Sequence, residues 1–198
     1  MDASSHPSLV NHAPVYYTKQ FMTENEATKL YEELKQHHIK RHSYLNKKLK
    51  RDTAIFGDSL NNNPPKIWGE NAIIEKWTPS MKLLLDKLNI HLKEKFNICL
   101  VNSYENGKEF IGWHADNEEK GSTYCIASIS LGAPRTFSFL YRSRELGGEE
   151  EKMDIILEHG SLLLMKHPCQ DKYLHCLPLD KKIKSRRINL TFRKLSLF

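Results

Sequence analysis

His114 and Asp116, in the run Trp113-His114-Ala115-Asp116, stand two residues apart, so in an extended conformation both side chains leave the same face of the chain. A histidine and a carboxylate so placed can grip one metal ion. A third histidine from far along the chain would complete a two-histidine, one-carboxylate set, which leaves iron(II) positions open for a co-substrate and oxygen. The pair alone is weak evidence, because a chain with 10 histidines can supply this spacing by chance, and a surface His-Asp pair explains it equally well. More telling is the run from Arg187 to Arg193. Alternation puts Ile188, Leu190 and Phe192 on one face and Arg187, Asn189, Thr191 and Arg193 on the other. Arginines suit bidentate capture of a carboxylate, and a small diacid co-substrate needs such an anchor. Asn102 and Tyr104 share one face of the strand that leads to His114 and could add neutral hydrogen bonds to the same ligand.

The elements that must hold these residues divide the chain in two. Thr23 and Glu26 form a capping-box pattern ahead of Ala27, Leu30, Tyr31 and Leu34, an amphipathic helix. Thr78 and Pro79 start a second helix, with Met81, Leu85, Leu88 and Leu92 as its apolar stripe and an end near Phe96. The polar segment between them, Lys50 to Lys76, contains Asn61-Asn62-Asn63-Pro64-Pro65 and reads as a functional loop. After Asn97 the period changes to two, with strands expected near Ile98–Tyr104, Ile126–Leu131, Thr136–Tyr141, Met153–Leu157, Ser161–Met165 and Arg187–Arg193. The expected fold is mostly β with N-terminal α: the strands suggest a jelly roll or sandwich preceded by helices that could cover one sheet, and the form expected is a double-stranded β-helix (jelly roll) covered by helices.

A chain of 198 residues with 39% hydrophobic content suits one globular domain. We divide it into a flexible tail over 1–15 and one domain over 16–198, with helices and a recognition lid over 16–97 and the catalytic core over 98–198; a monomer is expected. No basic start leads into an apolar run and no stretch approaches bilayer length, so the expectation is an intracellular protein, nuclear or cytoplasmic, with no membrane partner. Cys99, Cys125, Cys169 and Cys176 show no CxxC pairing and read as reduced structural thiols. The net charge of +6 is concentrated: Lys35 to Arg51 holds seven basic residues and no acid, and Lys181 to Lys194 is also basic and acid-free. Either run could be a solvated face or a nucleic-acid footprint.

In order along residues 102–193, Asn102-Ser-Tyr104 with Gly107, His114-Ala-Asp116, Ser128-Ile-Ser130-Leu-Gly132, Glu158-His159-Gly160-Ser161-Leu-Leu163, His167-Pro168, His175-Cys-Leu177-Pro178 and Arg187-Ile-Asn189-Leu-Thr191-Phe-Arg193 resemble the AlkB-type iron(II) and 2-oxoglutarate dioxygenases, particularly their eukaryotic-like nucleic-acid repair branch. The resemblance implies His114, Asp116 and His175 as catalytic iron ligands, with His175 preferred to His159 and His167 by its place in the motif order. It implies Asn102, Tyr104, Arg187, Asn189 and Arg193 around 2-oxoglutarate, with O2 as the oxidant. Arg187 is expected at the distal carboxylate. Six residues at about 3.3 Å each place Arg193 roughly 20 Å further along the strand, towards the iron-side carboxylate or the substrate. The activity implied is oxidative demethylation of N-alkylated bases such as 1-methyladenine and 3-methylcytosine in DNA, with RNA as a further substrate, releasing succinate, carbon dioxide and formaldehyde.

For the flipped base, the segment from Arg51 to Asp58 resembles the family's lid, with Phe56 as its aromatic, Trp68 as a stacking candidate that core packing explains equally well, and Glu118 as an acceptor for an exocyclic amine. Arg142, Arg144, Lys181, Lys182 and Lys184 are candidates for phosphate contacts. The acidic loop Glu145 to Lys152 argues against stable duplex binding, and between His42 and Leu49 only Tyr44 and Leu45 could fill a vacated stack; both features favour single-stranded or mixed substrates. The alternatives are a 2-oxoglutarate-dependent hydroxylase of a protein or small molecule, and a non-catalytic nucleic-acid-binding module that would leave the His-Asp-His and Arg-Asn-Arg sets without purpose.

Overall fold

A computed structural model describes residues 13–37, 39, 43–44, 47–58, 73–116, 122–142 and 152–195. Helix α1 (Glu24–Gln36) begins as its capping box dictates: the Glu26 amide donates to Thr23 Oγ1 (3.2 Å) and the Thr23 amide to Glu26 Oε2 (2.8 Å). Helix α2 (Pro79–Leu92) starts after Thr78, whose hydroxyl accepts from the Met81 amide. It stops short of the expected end at Phe96 because Lys93 adopts a left-handed conformation (φ 54°). The Asn89 side chain then grips both backbone groups of Phe96 and folds the chain back.

A seven-stranded sheet runs β1 (Val15–Thr18), β11 (Ser161–Lys166), β8 (Cys125–Gly132), β13 (Arg187–Arg193), β6 (Ile98–Tyr104), β4 (Asp52–Gly57) and β5 (Ile74–Glu75), antiparallel except between the last two. A smaller sheet runs β10 (Lys152–Leu157), β9 (Arg135–Tyr141), β12 (Tyr173–Leu177) and β7 (Ile111–His114). Strands β2 (Ser43–Tyr44) and β3 (Lys47–Lys48) pair separately, and a short helix α3 (Cys169–Lys172) precedes β12. The two sheets form the jelly-roll arrangement that the sequence predicts.

Alternation sorts the large sheet into two unlike faces. Ile188, Leu190 and Phe192 join Ala127, Ile129, Leu131, Val101, Phe56, Leu162 and Leu164 under a roof made by Leu30 and Leu34 of α1 and Met81, Leu85 and Leu88 of α2. Each such buried side chain contributes about 1.5–3 kcal/mol of apolar burial. The opposite face meets the small sheet. There, one end is apolar, with Ile126, Leu163 and Met165 packed against Phe139, Ile155 and Tyr173. Another part is polar, where Arg187 stands opposite Tyr104, Asn189 between Asn102 and Ser130, and Thr191 beside Ser128, while Ile55, Ile98 and Leu100 form a further apolar cluster.

The segment expected as a lid includes β4, paired along its length with β6. The tail expected over 1–15 falls mostly outside the described residues, but Ala13 and Val15 are buried, so the packed chain starts before that boundary. Among the described residues, no helix is long and apolar enough to cross a membrane.

Candidate active site

Antiparallel pairing of β7 with β12 sets His114 directly opposite His175, and the register shifts immediately beyond that pair. The two rings lie 4.3 Å apart between centroids. Asp116 follows the end of β7, its backbone amide donating to Gln170 Oε1 on α3 (3.0 Å). Its carboxylate oxygens lie 3.8 Å from His114 Nε2 and 3.9 Å from His175 Nε2. One potential ligand atom from each residue lies within 4.8 Å of the others, which makes these the one such group of three able to hold a metal ion among the described residues.

The ring orientations suit a metal. His114 Nδ1 is 2.8 Å from the Gly112 carbonyl oxygen, which only accepts, so Nδ1 donates there and Nε2 is the ring nitrogen turned towards Asp116. Burial drives His175 down to about 3, helped by the charges of His114 and Arg193 and opposed by Asp116, so it is neutral at pH 7. Phe137 stacks on its ring at 5.4 Å, and its buried Nδ1 has no partner among the described residues. Burial works against the Asp116 charge, but Arg193 and the two histidines outweigh it and hold the carboxyl at about 2. With His175 uncharged at neutral pH, Arg193 is the principal stabiliser: its Nη2 donates to Asp116 Oδ2 at 2.9 Å, while Nη1 donates to Thr191 Oγ1 at 2.9 Å.

At the other end of β13, Arg187 is 2% exposed. It donates from Nη2 to Ser130 Oγ (3.0 Å) and its guanidinium lies 5.6 Å from the Tyr104 ring centre. Among the described residues no carboxylate pairs with it and its Nε has no partner; burial, together with the nearby Arg135 charge, lowers its pKa to about 10. A buried guanidinium still charged at neutral pH, with unspent donors, calls for an anionic ligand. Asn102 and Tyr104 lie beside it on β6, both buried. The Asn189 amide nitrogen is engaged by Ser128 Oγ (2.8 Å) and the Ile129 carbonyl (2.9 Å).

The expected metal set and the Asn102, Tyr104, Arg187, Asn189 and Arg193 set thus converge between the two sheets. Phe56 does not join them. It is fully buried on the helix-covered face, with the His37 ring at 5.1 Å, so the expectation of a substrate-binding aromatic is corrected to a core residue. Trp68 and Glu118 lie outside the described residues, as do Arg144, the side chains of Tyr44 and Leu45, and most of the Glu145 to Lys152 loop. Lys181, Lys182 and Lys184 are exposed between β12 and β13. His159 serves elsewhere, its Nδ1 accepting from the Gly132 amide (2.8 Å), and His167 faces Asp171 and Tyr124.

Two supporting residues escape sequence reasoning. Gln170 fixes the Asp116 backbone. Arg135, 2% exposed, donates to the carbonyls of Asn106, Glu109 and Pro178 and so ties the segment before β7 to the end of β12. Neither carries a periodic or motif signal.

Comparison with known proteins agrees with this geometry. The model of the 2OG-Fe(II) oxygenase superfamily matches residues 14–193. The DNA oxidative demethylase ALKBH2 of Bos taurus is 37% identical over 125 residues, covering 60% of this chain and 44% of that protein. The human ALKBH2 is 37% identical over 127 residues (61% and 48%), and the alpha-ketoglutarate-dependent dioxygenase alkB homolog 3 of Rattus norvegicus is 36% identical over 122 (59% and 41%). The matched region is thus less than half the length of each of these curated relatives. The solved structure of OsALKBH1 superposes with a TM-score of 0.66 over 93% of this chain and 100% of its own at 19% identity, a likeness of fold. With the family match over nearly its whole length, the chain belongs to the 2OG-Fe(II) oxygenase superfamily and is of the AlkB type.

Proposed function

We propose that this protein is an iron(II)- and 2-oxoglutarate-dependent oxidative demethylase of N-alkylated nucleobases. The observation that carries the co-substrate reading is Arg187, a buried cation without a carboxylate partner among the described residues, on the same strand as the arginine that holds Asp116. His114 and His175 offer imidazole nitrogens and Asp116 a carboxylate, one ligand atom from each lying within 4.8 Å of the others. This donor set fits iron(II).

Iron(II) bound there, with 2-oxoglutarate and O2, supplies the oxidant that hydroxylates an N-methyl carbon while the co-substrate is converted to succinate and carbon dioxide. Arg193 bonds Asp116 Oδ2, balances its charge and would hold the carboxylate in place for the metal. Arg187 binds the distal carboxylate through charge-assisted hydrogen bonds, and Tyr104 flanks it. Phe137 and Phe139 wall off His175 and exclude water from that side. The hydroxymethyl group left on the base nitrogen is a hemiaminal that loses formaldehyde without help from a protein nucleophile.

Relatives named as DNA oxidative demethylases and the two basic runs support alkylated nucleic acid as the substrate. Single-stranded DNA or RNA is favoured by the four glutamates between 145 and 151. The test is a panel of single- and double-stranded DNA and RNA oligonucleotides carrying 1-methyladenine or 3-methylcytosine, assayed for formaldehyde and base repair with and without iron and 2-oxoglutarate. Repair dependent on both is expected; succinate formation without repair of any oligonucleotide would overturn the substrate assignment.

A further inference from the structure

Arg51 lies immediately before β4, two residues from Thr53 and so on the same side of that strand. Thr53 stands opposite Asn102 in the β4/β6 ladder. Arg51 Nε approaches Asn102 Oδ1 at 2.5 Å. Thr53 is 1% exposed, and its hydroxyl has no partner among the described residues. The polar face behind Arg187 therefore extends past Asn102 onto β4.

A guanidinium has donors and no acceptor, so the carboxamide atom it meets must be oxygen, which removes the usual ambiguity in an asparagine's orientation. With Oδ1 committed to Arg51, Asn102 keeps both Nδ2 hydrogens for another partner. The co-substrate offers only acceptors. An amide turned the other way would aim its oxygen at an anion.

We propose that Arg51 is a positioning residue for 2-oxoglutarate: it fixes the polarity of the Asn102 amide so that this side chain can only donate to the co-substrate. The inference rests on the proposed placement of Asn102 at 2-oxoglutarate. It also gives the basic run from Lys35 to Arg51 a member that works through the co-substrate pocket rather than on a phosphate.

The test is a double-mutant cycle on 2-oxoglutarate affinity, measured calorimetrically with Mn(II) in place of iron so that no turnover is involved. Arg51→Met keeps the aliphatic stem and removes the donors; it should weaken binding about tenfold, the scale of one hydrogen bond to a charged group. Asn102→Ala should weaken it similarly, and the double variant should be no worse than Asn102→Ala alone. Arg51→Lys, whose ammonium also only donates, should recover most of the loss. Full wild-type affinity in Arg51→Met beside a weakened Asn102→Ala overturns the positioning role, as does multiplication of the two effects in the double variant. Unchanged affinity in Asn102→Ala removes the placement of Asn102 and this inference together. Should Arg51→Met fail to fold, Asn102→Asp retains an Arg51 contact but presents no donor; it must bind 2-oxoglutarate more weakly than Asn102→Ala, and equal or tighter binding refutes the donor role.

Discussion

Replacing Arg193 with methionine removes the cation from one of the best-buried ion pairs in the protein while keeping most of the side-chain volume. The two side chains are 3% and 11% exposed, and the guanidinium bonds Asp116 and Thr191 together. Breaking one partner of such a pair costs about 3–5 kcal/mol, because the remaining charge is left desolvated. Protonation of Asp116, whose carboxyl burial would then push up, limits the cost to the lower part of that range. In a chain of this size 1 kcal/mol moves the melting temperature by about 2–4 °C, so Arg193→Met should melt roughly 10 °C below the wild type in chelator. A divalent ion supplies the missing positive charge. Saturating Mn(II) should therefore raise the variant's melting temperature more than the wild type's. Thermal unfolding of both proteins with EDTA and with Mn(II) measures this directly. A chelated variant within about 2 °C of the wild type would refute the reasoning, since the pair would then contribute no more than an exposed one.

His114→Ala and His175→Ala should each abolish iron-dependent 2-oxoglutarate decarboxylation while circular dichroism stays native, whereas His159→Ala and His167→Ala should retain turnover; loss of activity in either of the latter pair would redraw the metal site. Arg187→Ala should raise the KM for 2-oxoglutarate by roughly 10–100-fold through the loss of charge-assisted hydrogen bonds, and an unchanged KM in steady-state assays would deny it the co-substrate. Phe56→Leu should lower stability by about 1–2 kcal/mol in urea unfolding and leave the KM for oligonucleotide unchanged, the behaviour of a core residue rather than a lid aromatic. Gly107→Ala would bring a methyl carbon 1.7 Å from the Asp180 carbonyl oxygen, so the melting temperature should fall by several degrees, and a neutral outcome would mean that this loop packs differently.

Of the strands that carry the co-substrate residues, β13 was legible because it alternates over seven residues between a polar inner and an apolar outer face, and β6 because an apolar run leads into Asn102 and Tyr104 on one face. The strands that carry the metal set were not. Ile111–His114 and Tyr173–Leu177 are short, and their side chains do not divide cleanly into apolar and polar faces. Motif order found His175 where periodicity could not. Asp52–Gly57 escaped for a different reason: it is buried on both faces over most of its length, so it lacks the alternation that marks a half-buried strand. Phe56 was misjudged with it, since its type and motif position say nothing of the two helices that roof that face. Spacing along β13 correctly separated the two arginines, but the encounter of Arg193 with Asp116, 77 positions earlier, is a product of how the small sheet folds over the large one. Arg135 and Gln170 were invisible because their partners are backbone carbonyls and an amide that only the folded chain brings close, and the role of Arg51 depends on the pairing of β4 with β6.

The proposed function requires His114, Asp116 and His175 to hold one iron(II) ion at which 2-oxoglutarate binds. Anaerobic titration of the metal-free protein with iron(II) in the presence of 2-oxoglutarate, followed by the visible charge-transfer absorption of the iron–co-substrate complex, tests it most directly. The expected band saturates at one iron per chain, vanishes in Asp116→Ala, and needs a higher 2-oxoglutarate concentration in Arg187→Ala. A band that survives in Asp116→Ala, or none in the wild type, would contradict it.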